Sequence, residues 1–296
     1  MEATRINLDD WYATGRGGYA DSYFNKKDES LILKLNFKEY PQEKAYDEFS
    51  SSKAVFDLGV PCPEPIAFVT DGERYGLISR RILKKKSLTR IVSEQPERTR
   101  EMAEKMAEMV RQLHSLECNT DSFPSIPDLY RRDINRCTRF PDDVKEKLNK
   151  YLDELTPSTK CLHGDMHPGN IITADGKDYF IDLGDFGYGD PDLDFGILIS
   201  LCEWTPKKVL DDLLHITRSK CREFTRLFGE AYYGERFHDP ALLHKLYHCG
   251  LLRYAHALTT SGDMISPLMN IFRGNKLRAK IFIKILDVIV KERKHN

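Results

Sequence analysis

The feature that most constrains the fold of this chain is the stretch from residue 161 to residue 194, CLHGDMHPGNIITADGKDYFIDLGDFGYGDPDLD. Two short apolar runs, Ile171-Ile172-Thr173 and Tyr179-Phe180-Ile181, lie on either side of Asp175-Gly176. Runs of this composition are typical of β-strands, and an Asp-Gly pair between them is typical of a tight hairpin turn. The sequence therefore predicts a β-hairpin in the middle of this stretch.

Three polar residues frame the predicted hairpin. Asn170 directly precedes the first strand, Asp182 directly follows the second, and Asp165 lies five positions before Asn170. Because a hairpin brings its two ends together, we expect the three side chains at the same end of one small sheet. Phosphoryl transfer needs metal ions that neutralise phosphate charge and a group that orients the attacking hydroxyl. Carboxylate and amide oxygens suit Mg²⁺, so we predict Asn170 and Asp182 as metal ligands and Asp165 as the catalytic residue.

The motif HGDxxxxN, from His163 to Asn170, is followed by IDLG at residues 181–184 and by DPxxD at residues 190–194. In this order the motifs resemble the aminoglycoside phosphotransferase and choline kinase family, whose members share the protein-kinase-like fold. The resemblance is sharpest in this stretch and covers most of the chain. We expect His163 and Asp194 to brace the catalytic loop without touching the substrate.

The resemblance also implies a fold and a reaction. The expected fold is a two-lobed α/β structure. Its small mixed β-sheet N-lobe, residues 1–82, would bind the nucleotide, and its mainly helical C-lobe, residues 83–296, would carry the catalytic loop and the acceptor-binding helices. The expected reaction is phosphorylation of a small-molecule hydroxyl by ATP, with GTP also possible and Mg²⁺ as the metal. The acceptor would be an aminoglycoside-like antibiotic or a related metabolite.

A second aspartate could be mistaken for the metal ligand. Asp185-Phe186-Gly187 spells the metal-binding DFG motif of protein kinases, but it begins 15 positions after Asn170. Asp182 lies 12 positions after Asn170 and directly follows the apolar strand, where the metal aspartate belongs. We therefore interpret Asp182 as the metal ligand and Asp185 as a neighbouring or solvated residue.

Residues 11–36 predict two strands joined by a glycine-rich turn, GRGG, and then a further strand. Gly15, Gly17 and Ala20 match the dinucleotide fingerprint GxGxxA, but that fingerprint requires a helix after the turn. Because a strand follows here, we reject the dinucleotide interpretation. We expect Gly15, Gly17 and Gly18 to form a loop over nucleotide phosphates, with an ordinary hairpin turn as the alternative.

Lys34 lies in an otherwise apolar strand. It could be an exposed lysine, but the resemblance implies that it contacts the α- and β-phosphates and pairs with a glutamate of the next helix. That helix is predicted from about residue 42 to residue 58. Glu48 is the preferred partner and Glu43 the second choice.

Two more strands are predicted at residues 66–69 and 75–78. The segment 79–82 follows them and is interpreted as the hinge between the lobes. In the resembling family, backbone groups at this position meet the adenine edge, so Ser79 and Arg81 are assigned to the nucleotide site.

The remainder of the chain has helical patterns. The predicted helices are 96–116, further helices within 127–155, then 195–203, 206–228, 240–258 and 274–293. Asp194 is expected to cap the helix that follows the catalytic stretch. Acceptor contacts in the family come from the helices after Asp194, where acidic residues would suit the ammonium groups of an aminoglycoside. The acidic residues are Glu203, Asp211, Asp212, Glu230 and Asp263.

The composition excludes some classes of partner. A net charge of −1 gives no electrostatic reason to expect nucleic acid or an anionic membrane as a partner. No apolar run approaches 18 residues, and the first residues lack the apolar core of a signal peptide. Seven scattered cysteines, never in CxxC spacing, are typical of a reducing cytoplasm. We therefore expect a cytoplasmic protein.

Two other functional classes remain open. The chain could be a nucleotide-binding pseudoenzyme with a regulatory role, although all the catalytic residue types are present. It could also be a protein kinase, which docks a peptide on a long activation segment. Against this, residues 183–193 contain three glycines, one proline and no serine or threonine. Such a composition predicts a tight loop and not a docking surface.

Overall fold

The structure is a computed structural model that describes residues 2–16 and 20–260. These residues form two compact units. The sheet unit contains residues 2–16, 20–88 and 170–186, and the helical unit contains residues 89–169 and 187–260. Gly17, Gly18 and the predicted helix at 274–293 lie outside the described residues. The predicted functional division at residue 82 stays a prediction.

The sheet unit is built on a six-stranded sheet. In spatial order its strands are β1 (Thr4–Arg5), β5 (Pro65–Thr70), β6 (Tyr75–Arg80), β4 (Leu31–Asn36), β3 (Ala20–Asn25) and β2 (Trp11–Arg16). β1 is parallel to β5, and the other neighbours are antiparallel. Leu33 and Leu35 of β4 are fully buried in one apolar cluster. Because side chains alternate along a strand, Lys34 between them points to the opposite face.

Helix α1 (Gln42–Asp57) packs against β5 and β6. Tyr46 and Phe49 contact Phe68 of β5, with ring centroids 5.3 and 6.1 Å apart. The helix ends at Asp57, and Gly59 follows it with a φ of +82°, a left-handed conformation that glycine adopts readily. The helix predicted at residues 42–58 is confirmed.

The predicted hairpin forms a second, smaller sheet in the same unit. Strands β9 (Ile171–Ala174) and β10 (Lys177–Phe180) are antiparallel, and β7 (Lys86–Ser87) pairs with β9. Asp175 and Gly176 have φ values of +49° and +75°. A type I′ turn requires two positive φ values, which explains why an Asp-Gly pair occupies this position.

The helical unit carries two-residue strands, β8 (Cys161–Leu162) and β11 (Gly187–Tyr188), which pair with each other. Helix α2 (Leu88–Glu94) leads into it from the sheet unit. The remaining helices are α3 (Thr99–Ser115), α4 (Ile126–Arg136), α5 (Asp142–Asp153), α6 (Asp192–Glu203), α7 (Lys207–Leu214), α8 (Arg218–Tyr233) and α9 (Pro240–Thr260). None of the helices in the described part of the chain is long and apolar enough to cross a membrane.

Helices α6 and α9 approach each other closely at two glycines. A Cβ atom on Gly196 would lie 2.5 Å from the carbonyl carbon of Cys249, and one on Gly250 would lie 2.7 Å from a methyl group of Ile199. Larger residues at either position would force the helices apart. The glycines therefore fix where α9 lies along α6.

Three details of the helical prediction are wrong. The predicted helix 206–228 is two helices, because His215 adopts φ +54° and Thr217 then caps α8 by accepting a hydrogen bond from the Lys220 N–H. The predicted helix 96–116 becomes α-helical only at Thr99, after a 3₁₀ turn at Pro96–Arg98. Helix α2 was not predicted.

The stability of the helical unit should depend on pH through His256. The ring of His256 stacks on Tyr130 with centroids 4.4 Å apart. Burial and the nearby charge of Arg253 lower the pKa of His256 to about 4, against the opposing effect of Asp133. The pKa of His256 is higher in the unfolded chain, so the unfolded chain takes up the proton first as the pH falls. The stability that the neutral His256 ring contributes is therefore fully present above about pH 6.5 and is lost towards pH 4.

We expect the free energy of unfolding to fall by up to about 3 kcal/mol across that range because of this residue. Urea denaturation at several pH values measures the fall. His256→Gln should make it shallower. An identical pH dependence in the wild type and the variant would show that His256 does not titrate in this way.

Candidate active site

The hairpin of the sheet unit brings Asn170 and Asp182 to one end, as predicted. Phe180 pairs with Ile171 across the strands, and the Ile181 N–H donates to the Asn170 carbonyl at 2.9 Å. The hydrogen-bond ladder between β9 and β10 thus continues to Asn170 and Ile181, and Asp182 directly follows Ile181. Asn170 is buried and Asp182 is exposed.

Asp182 has a left-handed backbone, with φ +57° and ψ +54°, and it precedes a 3₁₀ turn at Leu183–Asp185. Aspartate tolerates this region better than most residues. The conformation turns the chain immediately after the strand, so Asp182 and Asp185 lie at opposite ends of the 3₁₀ turn.

Lys34 of β4 forms an ion pair with Glu48 of α1, and the Lys34 Nζ to Glu48 Oε1 distance is 2.6 Å. Of the two partners weighed from the sequence, Glu48 makes the contact. Burial lowers the pKa of Lys34, but the charges of Glu48 and Asp182 outweigh it, so the pKa is raised. Lys34 therefore carries a positive charge held between Glu48 and the hairpin end.

The glycine-rich turn is described only at its first glycine. Gly15 pairs with Ser22 across β2 and β3, just after an irregularity in the register at Ala13. A Cβ on Gly15 would meet no atom within 4 Å, so packing does not require glycine at this position. The role predicted for Gly15, Gly17 and Gly18 over the nucleotide phosphates stays a prediction.

The segment predicted as the hinge begins inside the sheet. Ser79 lies in β6, where it is paired with Ile32. The Arg81 N–H donates to the Ser30 carbonyl at 2.7 Å, and the Arg81 guanidinium lies 3.3 Å from the centre of the Phe24 ring. The Arg81 N–H therefore already donates a hydrogen bond to the chain next to the sheet. The predicted nucleotide contacts of Ser79 and Arg81 stay predictions.

In the helical unit, β8 leads directly into His163-Gly164-Asp165. The N–H groups of His163 and Gly164 donate to the two carboxylate oxygens of Asp194, at 2.8 and 2.9 Å. The His114 Nε2 atom lies 3.0 Å from the same carboxylate, and its Nδ1 atom lies 2.7 Å from the Tyr232 hydroxyl. Asp194 thus holds the backbone of the loop that carries Asp165.

The prediction that Asp194 caps a helix is wrong. Helix α6 begins two residues earlier, at Asp192, and the residue before it is Pro191. The Asp194 carboxylate lies in the first turn of α6 and is used by the catalytic loop. The N–H groups of His163 and Gly164 and the ring of His114 satisfy the hydrogen-bonding groups of this buried carboxylate.

Asp165 is itself held by an arginine that the sequence did not indicate. The Arg253 Nη2 atom donates to Asp165 Oδ1 at 3.0 Å, and the His167 Nε2 atom lies 3.7 Å from Asp165 Oδ2. Burial raises the pKa of the Asp165 carboxyl, but electrostatic interaction with His167, Arg253 and His163 and the Arg253 hydrogen bond outweigh it. The pKa is therefore below its ordinary value, and Asp165 is ionised at neutral pH.

A buried ionic cluster lies at the start of α6. The Lys245 ammonium contacts carboxylate oxygens of Asp190 and Asp192 at 2.6 and 2.7 Å, and the Tyr233 hydroxyl donates to Asp192 at 2.7 Å. Burial alone would lower the pKa of Lys245, but the two carboxylates raise it. The cluster ties α9 and α8 to the first residues of the DPxxD motif. Sequence reasoning missed Lys245.

Comparison with known proteins decides the family. A model described as the phosphotransferase enzyme family, APH, matches residues 13–244. The chain belongs to this family. The predicted family is confirmed, and with it the prediction of a phosphotransferase that acts on a hydroxyl acceptor. No curated protein sequence matches the chain significantly.

Several solved structures resemble this APH-family chain. Amicoumacin kinase hAmiN in complex with AMP-PNP, Ca²⁺ and Ami has a TM-score of 0.59 at 16% identity, covering 92% of this chain and 89% of its own. The ternary complex of streptomycin, ATP and APH(2")-IIa has a TM-score of 0.57 at 17% identity, covering 92% and 93%.

A choline/ethanolamine kinase family protein from Mesorhizobium loti has a TM-score of 0.55 at 15% identity, covering 93% and 84%. At such identities the likeness shows the fold. The predicted fold class, a β-sheet N-terminal region and a helical C-terminal region of the protein-kinase-like type, is confirmed.

The donor atoms at the hairpin end fit a hard divalent cation. Asn170 offers an amide oxygen and Asp182 a carboxylate, the types that Mg²⁺ prefers. Within the described residues there is no cluster of three or more His, Cys, Asp or Glu side chains that could hold a metal ion. A cation bound by these two side chains would take its remaining ligands from nucleotide phosphates and water, as Mg²⁺ commonly does.

Proposed function

We propose that this chain transfers the γ-phosphoryl group of ATP to a hydroxyl group of a small molecule, an aminoglycoside-like antibiotic or a related metabolite, with Mg²⁺ as the metal. The observation that carries the proposal is the end of the hairpin, where Asn170 and Asp182 lie at the ends of its two paired strands. Asp165, which is ionised, precedes Asn170 by five residues in the sequence. The nucleotide is assigned to residues 1–82 and the acceptor to residues 83–296. Seven free cysteines support a cytoplasmic location.

Asp165 would orient the acceptor hydroxyl. The acceptor oxygen forms a bond to the γ-phosphorus, and the bond from that phosphorus to the β–γ bridging oxygen breaks and leaves ADP. The hydroxyl proton passes to the Asp165 carboxylate. Because Arg253 and His167 keep the pKa of that carboxyl low, its main contribution is to position the hydroxyl.

Asn170 and Asp182 would hold the metal ion, which when bound supplies charge that neutralises the phosphates. Lys34, fixed by Glu48, would donate to phosphate oxygens of the nucleotide. GTP is a second candidate donor, since one similar structure, at a TM-score of 0.55, is APH(2")-IIia with GDP and kanamycin. Parallel assays with ATP and GTP decide between them.

The proposal is tested in two steps. Thermal shift with AMP-PNP, with and without Mg²⁺, should show stabilisation that requires both. Turnover of ATP with hydroxylated metabolites and antibiotics should then yield a phosphorylated product. Nucleotide binding without any turnover would favour a regulatory pseudoenzyme, and a lack of Mg²⁺-dependent binding would contradict the assigned metal site.

Lys34→Ala should raise the KM for ATP about 10–100-fold, the range expected for a lost hydrogen bond to a charged group. The KM for the acceptor should change much less, because Lys34 is assigned to the phosphates. Steady-state kinetics with each substrate varied in turn makes the comparison.

Lys38→Ala is the matched control, since Lys38 belongs to the same unit and forms an exposed ion pair with Glu73. This control should leave both KM values unchanged. Normal ATP kinetics in Lys34→Ala would contradict the assignment of Lys34 to the phosphates and leave it only a structural role in the ion pair with Glu48.

A further inference from the structure

We propose that the acceptor is a neutral or anionic hydroxyl compound and not a polycation, and that Arg253 is the residue that sets this preference. The inference rests on the proposed function, because it concerns the molecule whose hydroxyl Asp165 receives. It narrows the two acceptor classes of that proposal to one.

The position of Arg253 is fixed by α9. Lys245, Cys249 and Arg253 are spaced four residues apart and therefore lie on one face of the helix. Lys245 contacts Asp190, and Cys249 packs against Gly196 so closely that a Cβ there would lie 2.5 Å away. Because the first two positions of this face are anchored at α6, the third delivers its guanidinium to Asp165.

The pair of Arg253 and Asp165 sets the charge where the hydroxyl must arrive. The two side chains are 19% and 32% exposed, and the N to O distance is 3.0 Å. His167 lies on the other carboxylate oxygen at 3.7 Å. The Arg253 guanidinium therefore balances the negative charge of Asp165 before any acceptor binds. An ammonium group next to the reacting hydroxyl would gain little from Asp165 and would be repelled by Arg253.

Three of the carboxylates considered from the sequence as partners for ammonium groups are also engaged. Five acidic residues after Asp194 were considered from the sequence, and the side chains of Asp212 and Asp263 lie outside the described part. Each of the remaining three has a basic partner in the helical unit. The pairs are Glu203 with Arg222 at 2.7 Å, Glu230 with Arg226 at 2.6 Å, and Asp211 with Lys207.

A polycationic acceptor that used these three carboxylates would have to displace their basic partners, exchanging one ion pair for another without a net gain of charge contacts. A hydroxyl compound with a carboxylate or phosphate could instead meet the guanidinium of Arg253, which suits planar and phosphate oxygens. A neutral sugar or alcohol would displace no ion pair at all. The charge of the acceptor thus distinguishes polycationic compounds from neutral and anionic ones, even though all of them offer a hydroxyl.

The first test uses the wild-type protein. A low-molecular-weight cell extract is supplemented with kanamycin, separated by cation exchange into cationic and neutral-plus-anionic pools, and incubated with the enzyme, Mg²⁺ and labelled ATP. We expect phosphorylated product in the neutral-plus-anionic pool. Product mainly in the cationic pool would overturn this inference and leave the proposed function standing. No product in either pool would contradict the proposed function, and the inference would fall with it.

The second test assigns the preference to Arg253. Arg253→Gln should reduce product from the neutral-plus-anionic pool about 10²-fold through loss of positioning. It should also raise the ratio of cationic to other products about tenfold or more. Arg253→Lys, which keeps the charge, should keep the wild-type ratio at a lower rate.

Arg131→Gln is the matched control, since Arg131 is also ion-paired with an aspartate in the helical unit, at 2.7 Å from Asp153. It should leave both the rate and the ratio unchanged. Melting temperatures of all three variants separate folding defects from these effects. A folded Arg253→Gln protein with the wild-type ratio would show that Arg253 does not select the acceptor. If Arg253→Gln does not fold, the inference is tested by the product ratio of Arg253→Lys and by the distribution of wild-type product between the two pools.

Discussion

Asp165→Asn should reduce phosphoryl transfer about 10²–10⁴-fold, because both the positioning of the hydroxyl and the acceptor of its proton are lost, and should leave the affinity for Mg·ATP nearly unchanged. The amide keeps the shape of the side chain but cannot accept the hydroxyl proton. It also removes the negative charge that Arg253 holds at 3.0 Å. Single-turnover rates measure the transfer step, and calorimetric titration measures nucleotide affinity.

Asp153→Asn provides the control for this experiment. Asp153 pairs with Arg131 at 2.7 Å in the helical unit, so its substitution also removes a carboxylate from an arginine pair. Its transfer rate should equal that of the wild type. Activity of Asp165→Asn within threefold of the wild type would exclude Asp165 as the catalytic residue.

Asp182→Ala should weaken Mg²⁺-dependent ATP binding about 10²-fold or more, as expected for loss of a charged metal ligand, while Asp185→Ala should lose far less. Asp182 continues the hairpin beside Asn170, and its charge acts on Lys34. Asp185 lies at the far end of the 3₁₀ turn.

The two variants control for each other, because both remove an exposed aspartate from the same turn. Titrating ATP into each protein, with Mg²⁺ and with chelator, isolates the metal-dependent part of the affinity. In chelator the two variants should bind alike. If Asp185→Ala lost more Mg²⁺-dependent affinity than Asp182→Ala, the metal assignment would have to be reversed.

Local patterns account for what the sequence could predict. The Asp-Gly turn and its apolar flanks specify the hairpin, and strand alternation separates Lys34 from the buried Leu33 and Leu35. The pairing of Lys34 with Glu48 followed from the family resemblance together with helix α1. In each case the decisive residues are neighbours in the sequence or belong to adjacent elements.

Contacts between distant helices account for what could not be predicted. Arg253 reaches Asp165 across 88 positions, and only the close packing of α9 on α6 determines that contact. A lone arginine among the apolar residues 251–255 was the available signal, since a buried charge needs a partner. Asp194 illustrates the same limit, because a carboxylate at that position suits a helix cap as well as the catalytic loop.

The break between α7 and α8 was missed for a different reason. His215 takes a left-handed conformation that is uncommon for a histidine, and neither glycine nor proline marks the position. Thr217, which caps α8, was the only local sign. A single capping threonine is too common in helices to place a boundary by itself.

The central claim is that the acceptor is a small molecule. Its most direct test is incubation of the enzyme with labelled ATP and a dephosphorylated cell lysate, followed by separation into protein and metabolite fractions. The wild type should place the label in a metabolite, Asp165→Asn should not, and no protein should be labelled stoichiometrically. Stoichiometric label on a specific protein, with none in the metabolites, would contradict the account and indicate a protein kinase.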